Sequence, residues 1–183
     1  MRTGFRRCQS KTGPATFTKV FAPVIKAQLR DLIIQQLQQE LARQTNAAEM
    51  SRDEAISEES RAENKWDTHS QEAAYLAEGQ AKLAAEIHAS IAHYRAMALP
   101  EFGPGTPIAL GALIELESTK AGRRSRYFLG PHAGGLELPD GPGSILVVTP
   151  SSPLGRLLLG RKTGDEVAPL GKSSGTQRIV GGV

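Results

Sequence analysis

The residues that could do chemistry in this chain fall into three sets: a run of carboxylates, four histidines and a single cysteine. The carboxylates are Glu49, Asp53, Glu54, Glu58, Glu59, Glu63 and Asp67. Only Arg52, Arg61 and Lys65 stand against them, so residues 49–67 carry a balance of −4 in a chain whose net charge is +3. Such a run commonly does no more than solvate a helix, but here the acids gather at one end of a segment instead of alternating with lysine along it. His69, His88, His93 and His132 share no metal-ligand spacing. His88 and His93 are five apart, which misses the i, i+4 separation that would put both on one helical face. Cys8 stands alone, which excludes an internal disulfide and any zinc site built on two thiolates, and it sits in a leading stretch that makes it a poor nucleophile. No Gly-x-Ser-x-Gly elbow is present. Gly171-Lys172-Ser173 and Gly160-Arg161-Lys162-Thr163 both miss the glycine spacing of a phosphate-binding loop. By itself the chain reads as no enzyme.

The elements that must position the acids follow from length and composition. At 183 residues, 39% hydrophobic and 5% aromatic, the chain is sized between one ordinary domain and two small ones and lacks the bulk for one broad core. No apolar run approaches the roughly 18 residues of a membrane span, so no membrane is expected and a reducing cytoplasm suits the lone cysteine. Residues 1–23 carry Arg2, Arg6, Arg7, Lys11 and Lys19, no acid and no period. They read as a disordered basic extension, with a nucleic-acid-binding arm or a targeting peptide as the alternatives.

From Val24 to Met97 there is no proline and one glycine, Gly79, a helix-permissive stretch of unusual length. Ile34, Leu37, Leu41, Ala48, Ala55 and Ala62, with Gln44 and Ser51 between them, predict one narrow stripe; Leu76, Leu83, Ile87, Ile91 and Tyr94 predict another. These are seams of a coiled coil. Around Asn64–Ser70 the residues favour caps and turns. Folding back there gives an antiparallel two-helix coiled-coil hairpin over residues 24–98, about 40 Å or more long at about 1.5 Å per residue. Glu58, Glu59, Glu63 and Asp67 then fall near its far end. Trp66, the only tryptophan, has two readings there, a cap over the bend or a contact for a partner.

Beyond the hairpin, residues 99–107 form a Pro/Gly-stiffened linker. Short β-like runs follow at 108–117, 124–129, 136–138, 144–149, 166–168 and 176–180, divided by Gly-rich turns. Between the fourth and fifth lies a short helix with Ser152 at its N-cap, Pro153 at its first position and Gly160 just past its end. Residues 108–183 therefore predict a small α+β domain.

The run Ser152-Pro153-Leu154-Gly155-Arg156-Leu157-Leu158-Leu159-Gly160-Arg161-Lys162-Thr163-Gly164-Asp165-Glu166-Val167 resembles the signature of the C-terminal domain of the GreA/GreB transcript-cleavage factors. Its place behind a helical hairpin and ahead of a final strand matches their architecture, and the resemblance spans roughly residues 24–183. It implies an FKBP-like C-terminal domain that docks on bacterial RNA polymerase at the rim of the secondary channel, and a coiled-coil finger that enters the channel. It further implies that a pair of acidic fingertip residues helps to hold a second Mg²⁺ in the polymerase active site, promoting hydrolysis of backtracked nascent RNA. By position those roles fall on Glu63 and Asp67, with Glu59 in reserve.

Magnesium takes oxygen ligands and keeps positions open, so a carboxylate supplied in trans can complete an under-coordinated site. The family's pair is three residues apart, whereas Glu63 and Asp67 are four apart with Trp66 between them. A tip that cannot present two oxygens together would occupy the channel without stimulating cleavage. Arg123, Arg124, Arg126, Arg156, Arg161 and Lys162 are candidates for docking on acidic polymerase surface or guiding RNA, with ordinary solubilising charge as the alternative. A monomer is expected. A peptidyl-prolyl isomerase reading rests only on analogy of fold to FKBP, and the back half has no tryptophan to build an apolar proline pocket.

Overall fold

The computed structural model describes residues 22–56, 69–103, 105–119, 122–168 and 175–182. Two long helices, α1 (Ala22–Ile56) and α2 (His69–Ala96), come first. Their 35 and 28 residues make them roughly 52 and 42 Å long. They run antiparallel. Ser51 Oγ donates to Gln80 Oε1 at 3.2 Å, while nearer the other end Gln38 and Leu41 share a crevice with Ile91 and Arg95. The chain is thus folded back on itself. α1 includes Ala22 and Pro23, expected from composition in the basic extension; a proline in the first turn is tolerated because its missing N–H has no helical partner there.

Along α1, Ile34, Leu37, Leu41, Gln44, Ala48 and Ser51 are buried or half-buried as the pattern predicts, and Leu29 and Ile33 extend the stripe toward the base. Along α2 the covered positions step by threes and fours through Ala77, Gln80, Ala84, Ile87, Ile91 and Tyr94. Leu76 and Leu83, expected in that seam, are instead 55% and 42% exposed. Each lies one residue before a covered alanine. Two helices that approach closely select small side chains at the contact, and a pattern weighted by hydrophobicity chooses the leucine beside it.

The rest of the chain is a mixed six-stranded sheet in the order β3-β4-β2-β1-β6-β5, formed by β1 (Leu113–Ser118), β2 (Arg124–Leu129), β3 (Glu137–Asp140), β4 (Gly143–Val148), β5 (Glu166–Val167) and β6 (Gln177–Gly182). β2 and β4 pair in parallel, with Phe128 opposite Val147, and every other pairing is antiparallel. Together with α1 and α2 this makes an α+β fold. α3 (Pro153–Leu158) forms as its local signals dictate: Ser152 Oγ accepts from Gly155 N–H at 3.0 Å and Pro153 occupies the first turn.

The predicted strand over 108–117 is half correct, since residues 108–112 are not strand. Gly111 adopts φ +87° in a turn closed by an Ala112 N–H to Ala109 O bond of 3.1 Å, and Gly111 N–H and Ala112 O both pair with Leu129 at 2.9 Å, a bulge of two residues against one whose positive φ suits glycine. Ile108 instead exchanges bonds of 2.8 Å with Gly160 and Arg161, so the start of this region is tied to the loop after α3.

The period of two in the strands sends neighbouring residues to opposite faces. On one face Ile114, Leu116, Leu129, Val148 and Ile179 pack with Leu154 and Leu158 of α3 and with Phe102 and Ile108. On the other, Phe128, Leu138, Ile145 and Val147 pack with Leu29 and Ile33 of α1 and Tyr94 of α2. The base of the hairpin is therefore the cover of the second face. No described helix is long and apolar enough to cross a membrane.

Candidate functional site

The joint between hairpin and sheet is built from four side chains. Tyr94, in the last turn of α2, is fully buried and its Oη donates to the His132 carbonyl at 2.7 Å. Gly130 makes room for it, because a Cβ there would stand 2.1 Å from that oxygen. Burial pushes the Tyr94 phenol far above its ordinary pKa, only partly countered by the hydrogen bond. Beside it, His93 Nδ1 and His132 Nε2 are 2.7 Å apart. Near the start of α1, Lys26 is fully covered; its Nζ donates to the Pro100 carbonyl and lies 5.2 Å from the centroid of the Phe102 ring. Burial holds its ammonium pKa below the ordinary lysine value, against an opposing pull from Glu101. The expected linker is thus packed: Phe102 enters the core and Pro100 receives a lysine from α1.

Glu59, Glu63, Trp66 and Asp67, the expected metal-holding and contact residues of the tip, lie outside the described residues. The described helices bound their segment, since α1 ends at Ile56 and α2 begins at His69, both at the end of the hairpin remote from the sheet. Glu49 and Asp53 on α1, and Glu72 and Glu78 on α2, are exposed toward that end. Among the described residues no group of three or more His, Cys, Asp or Glu side chains gathers to hold a metal.

The six basic candidates are all exposed, but they do not form one patch. Arg123, Arg124 and Arg126 line an open trough of about 680 Å³ beside β2 and β4. Arg124 lies 3.6 Å from both Glu115 and Glu117, and Arg126 is bonded to Asp140, so much of the positive charge in this trough is already answered within the chain. Arg156, Arg161 and Lys162 belong to α3 and the loop after it, on the side of the sheet away from the hairpin. Among the described residues neither they nor Arg123 makes an ion pair.

The motif at 152–167 and the hairpin that precedes it are now both in place. The chain is similar to transcription factors of the GreA kind. The crystal structure of GreA factor homolog 1 (Gfh1) from Thermus thermophilus matches at 23% identity, covering 84% of this chain and 94% of that one, with a TM-score of 0.36. Thermus aquaticus Gfh1 matches at 22%, covering 83% and 92%, with a TM-score of 0.35. A GreA/GreB elongation factor from Nitrosomonas europaea matches at 21%, covering 57% and 79%, with a TM-score of 0.34. No protein-family model and no curated protein matches.

The sequence did not disclose the joint. His93 and His132 are 39 positions apart, and no short spacing connects them. A lysine near a helix start reads as solvated until the chain returns at Pro100 to cover it.

Proposed function

We propose that this chain is a secondary-channel factor of RNA polymerase that supports Mg²⁺-dependent cleavage of backtracked nascent RNA, acting as a monomer in the cytoplasm and not as an enzyme alone. The observation that supports this reading is the layout: a narrow rod of two antiparallel helices seated by its base on a small sheet domain. The motif at 152–167 runs through the helix of that domain, the loop after it and β5. A rod of that shape can enter a channel that excludes the foot. Arg156, Arg161 and Lys162 would dock the foot on acidic polymerase surface, with Arg123, Arg124 and Arg126 as further contacts to protein or RNA; Trp66 would contact the channel wall.

Residues 57–68 connect the remote helix ends, so Glu63 and Asp67, with Glu59 in reserve, would enter first. Their carboxylate oxygens are the hard donors that Mg²⁺ takes. When shared with the polymerase, that ion supplies an activated water and neutralises charge on the scissile phosphate. The chain's own contribution is positional: it brings two oxygens to the site and holds them there through the foot.

The test is a stalled, backtracked polymerase complex incubated with the purified chain. Transcripts should shorten, and the double variant Glu63→Ala with Asp67→Ala should bind as well as wild type and leave the RNA intact. The four-residue spacing of these acids favours a second reading, a channel occupant that does not cleave. Binding by wild type with RNA of unchanged length would establish that second reading, and absence of binding would remove both.

A further inference from the structure

The joint at the hairpin base carries chemistry that the polymerase reading does not use. The geometry points to a divalent transition-metal site formed by His93 and His132, independent of any action at the tip. Nδ1 of His93 and Nε2 of His132 face each other at 2.7 Å, the ring planes are 12° apart and the ring centroids 4.7 Å apart. A centroid separation only about 2 Å greater than the N···N distance is that of two rings meeting edge to edge, which directs their in-plane lone pairs at one point between them. In the metal-free state one N–H proton occupies that point and is shared as a hydrogen bond. A cation takes the place of the proton, and the imidazole that carried it shifts to the tautomer protonated at its other ring nitrogen, so both ligands stay neutral and no net proton is released.

Two imidazole nitrogens select Zn²⁺, Cu²⁺ or Ni²⁺ over Mg²⁺ or Ca²⁺, which prefer oxygen. With metal–nitrogen bonds of about 2.0–2.1 Å in a tetrahedral arrangement the nitrogens would stand roughly 3.3 Å apart. The pair therefore has to open by about 0.6 Å, and each ring has to swing by roughly 35° so that its lone pair turns from the partner nitrogen to the cation. Both ligands are held from behind. His93 sits in the last turns of α2, and the backbone of His132 is fixed by Tyr94 Oη at 2.7 Å and by the flanking bonds Gly130 N–H to Val148 O and Gly135 N–H to Val147 O, each 2.9 Å. His93 is exposed and His132 half-buried, so a cation can enter and water can fill the remaining positions. Because the ligands come from α2 and from the β2–β3 connection, a bound cation fastens the rod to the foot and stiffens its direction.

The experiment uses tag-free, chelator-treated full-length chain titrated with Zn²⁺ by calorimetry, with thermal unfolding followed in parallel. One Zn²⁺ per chain should bind and raise the unfolding temperature, reversibly with chelator. His93→Ala, at an exposed helical position where alanine is well tolerated, should weaken binding at least tenfold. His132→Asn should do the same, and His88→Ala should match wild type. Absence of binding to wild type would overturn the site, as would undiminished binding by His93→Ala and His132→Asn. Since none of these variants touches the tip, this outcome is separable from that of the cleavage assay.

Discussion

The two halves of the rod are held by different means. At the base, Leu29, Ile33 and Tyr94 are almost wholly removed from water against Phe128, Leu138, Ile145 and Val147 of the sheet. Toward the far end the seam narrows to Ala48, Ala77 and Ala84 with the polar pair Ser51 and Gln80, and Met50, Tyr75, Leu76 and Leu83 stay exposed. Small contacts bury little apolar area and contribute correspondingly little. The base therefore carries the stability, while the far half is held in line mainly by helix pairing. A rod built this way can vary the chemistry of its far end without disturbing its seat.

The contrast can be broken or sharpened by substitution. The largest effect is expected at the base, where Tyr94→Ala should cost about 4 kcal/mol and Ile33→Ala about 3 kcal/mol of unfolding free energy. Denaturant titration measures both. At the far half, Leu83→Ala should stay within about 0.5 kcal/mol, the ordinary range for exposed positions. Equal losses at Ile33 and Leu83 would erase the distinction. Intermediate between these, Ser51→Ala leaves Gln80 Oε1 without its donor and should cost about 1 kcal/mol.

The smallest effect is a slope, and it concerns Lys26. Burial lowers its folded pKa below the unfolded value, so in the alkaline range between the two the unfolded chain binds more protons than the folded one. Stability therefore gains from this group as pH rises through that window, and the gain is complete above the unfolded lysine value. Tyr94 acts in the opposite sense: its raised pKa means that stability falls as pH climbs past the unfolded tyrosine value. Lys26→Met isolates the first contribution. The difference in stability between wild type and this variant should change in favour of wild type as pH rises toward the unfolded lysine value, and a pH-independent difference would show that Lys26 is not buried as a cation.

Much of this architecture was legible because its signals are local. Ser152, Pro153 and Gly160 mark α3 within one short run, and alternation alone separates Phe128 from Leu129 and Val147 from Val148 into two cores. The folded-back helices were legible from an absence of breakers between Val24 and Met97 apart from a cluster of cap-forming residues. What escaped is non-local. The phase of the α2 seam depends on how near α1 comes, which favours Ala77 and Ala84 over the neighbouring leucines. Ile108 leaves the sheet to pair with Gly160 and Arg161 of a loop far along the chain, and the meeting of His93 with His132 depends on Tyr94 lodging over Gly130. The acids at Glu59, Glu63 and Asp67 were legible as charge, and their geometry lies beyond the described residues.

The most direct test of the central claim is the position of the far end of the rod in a polymerase complex. A photoreactive residue in place of Trp66 should link to the catalytic subunit beside the RNA 3′ end, while the same group in place of Arg161 should link only to the rim of the channel. Linkage from position 161 with none from position 66 would mean that the foot docks and the rod stays outside, which contradicts the account.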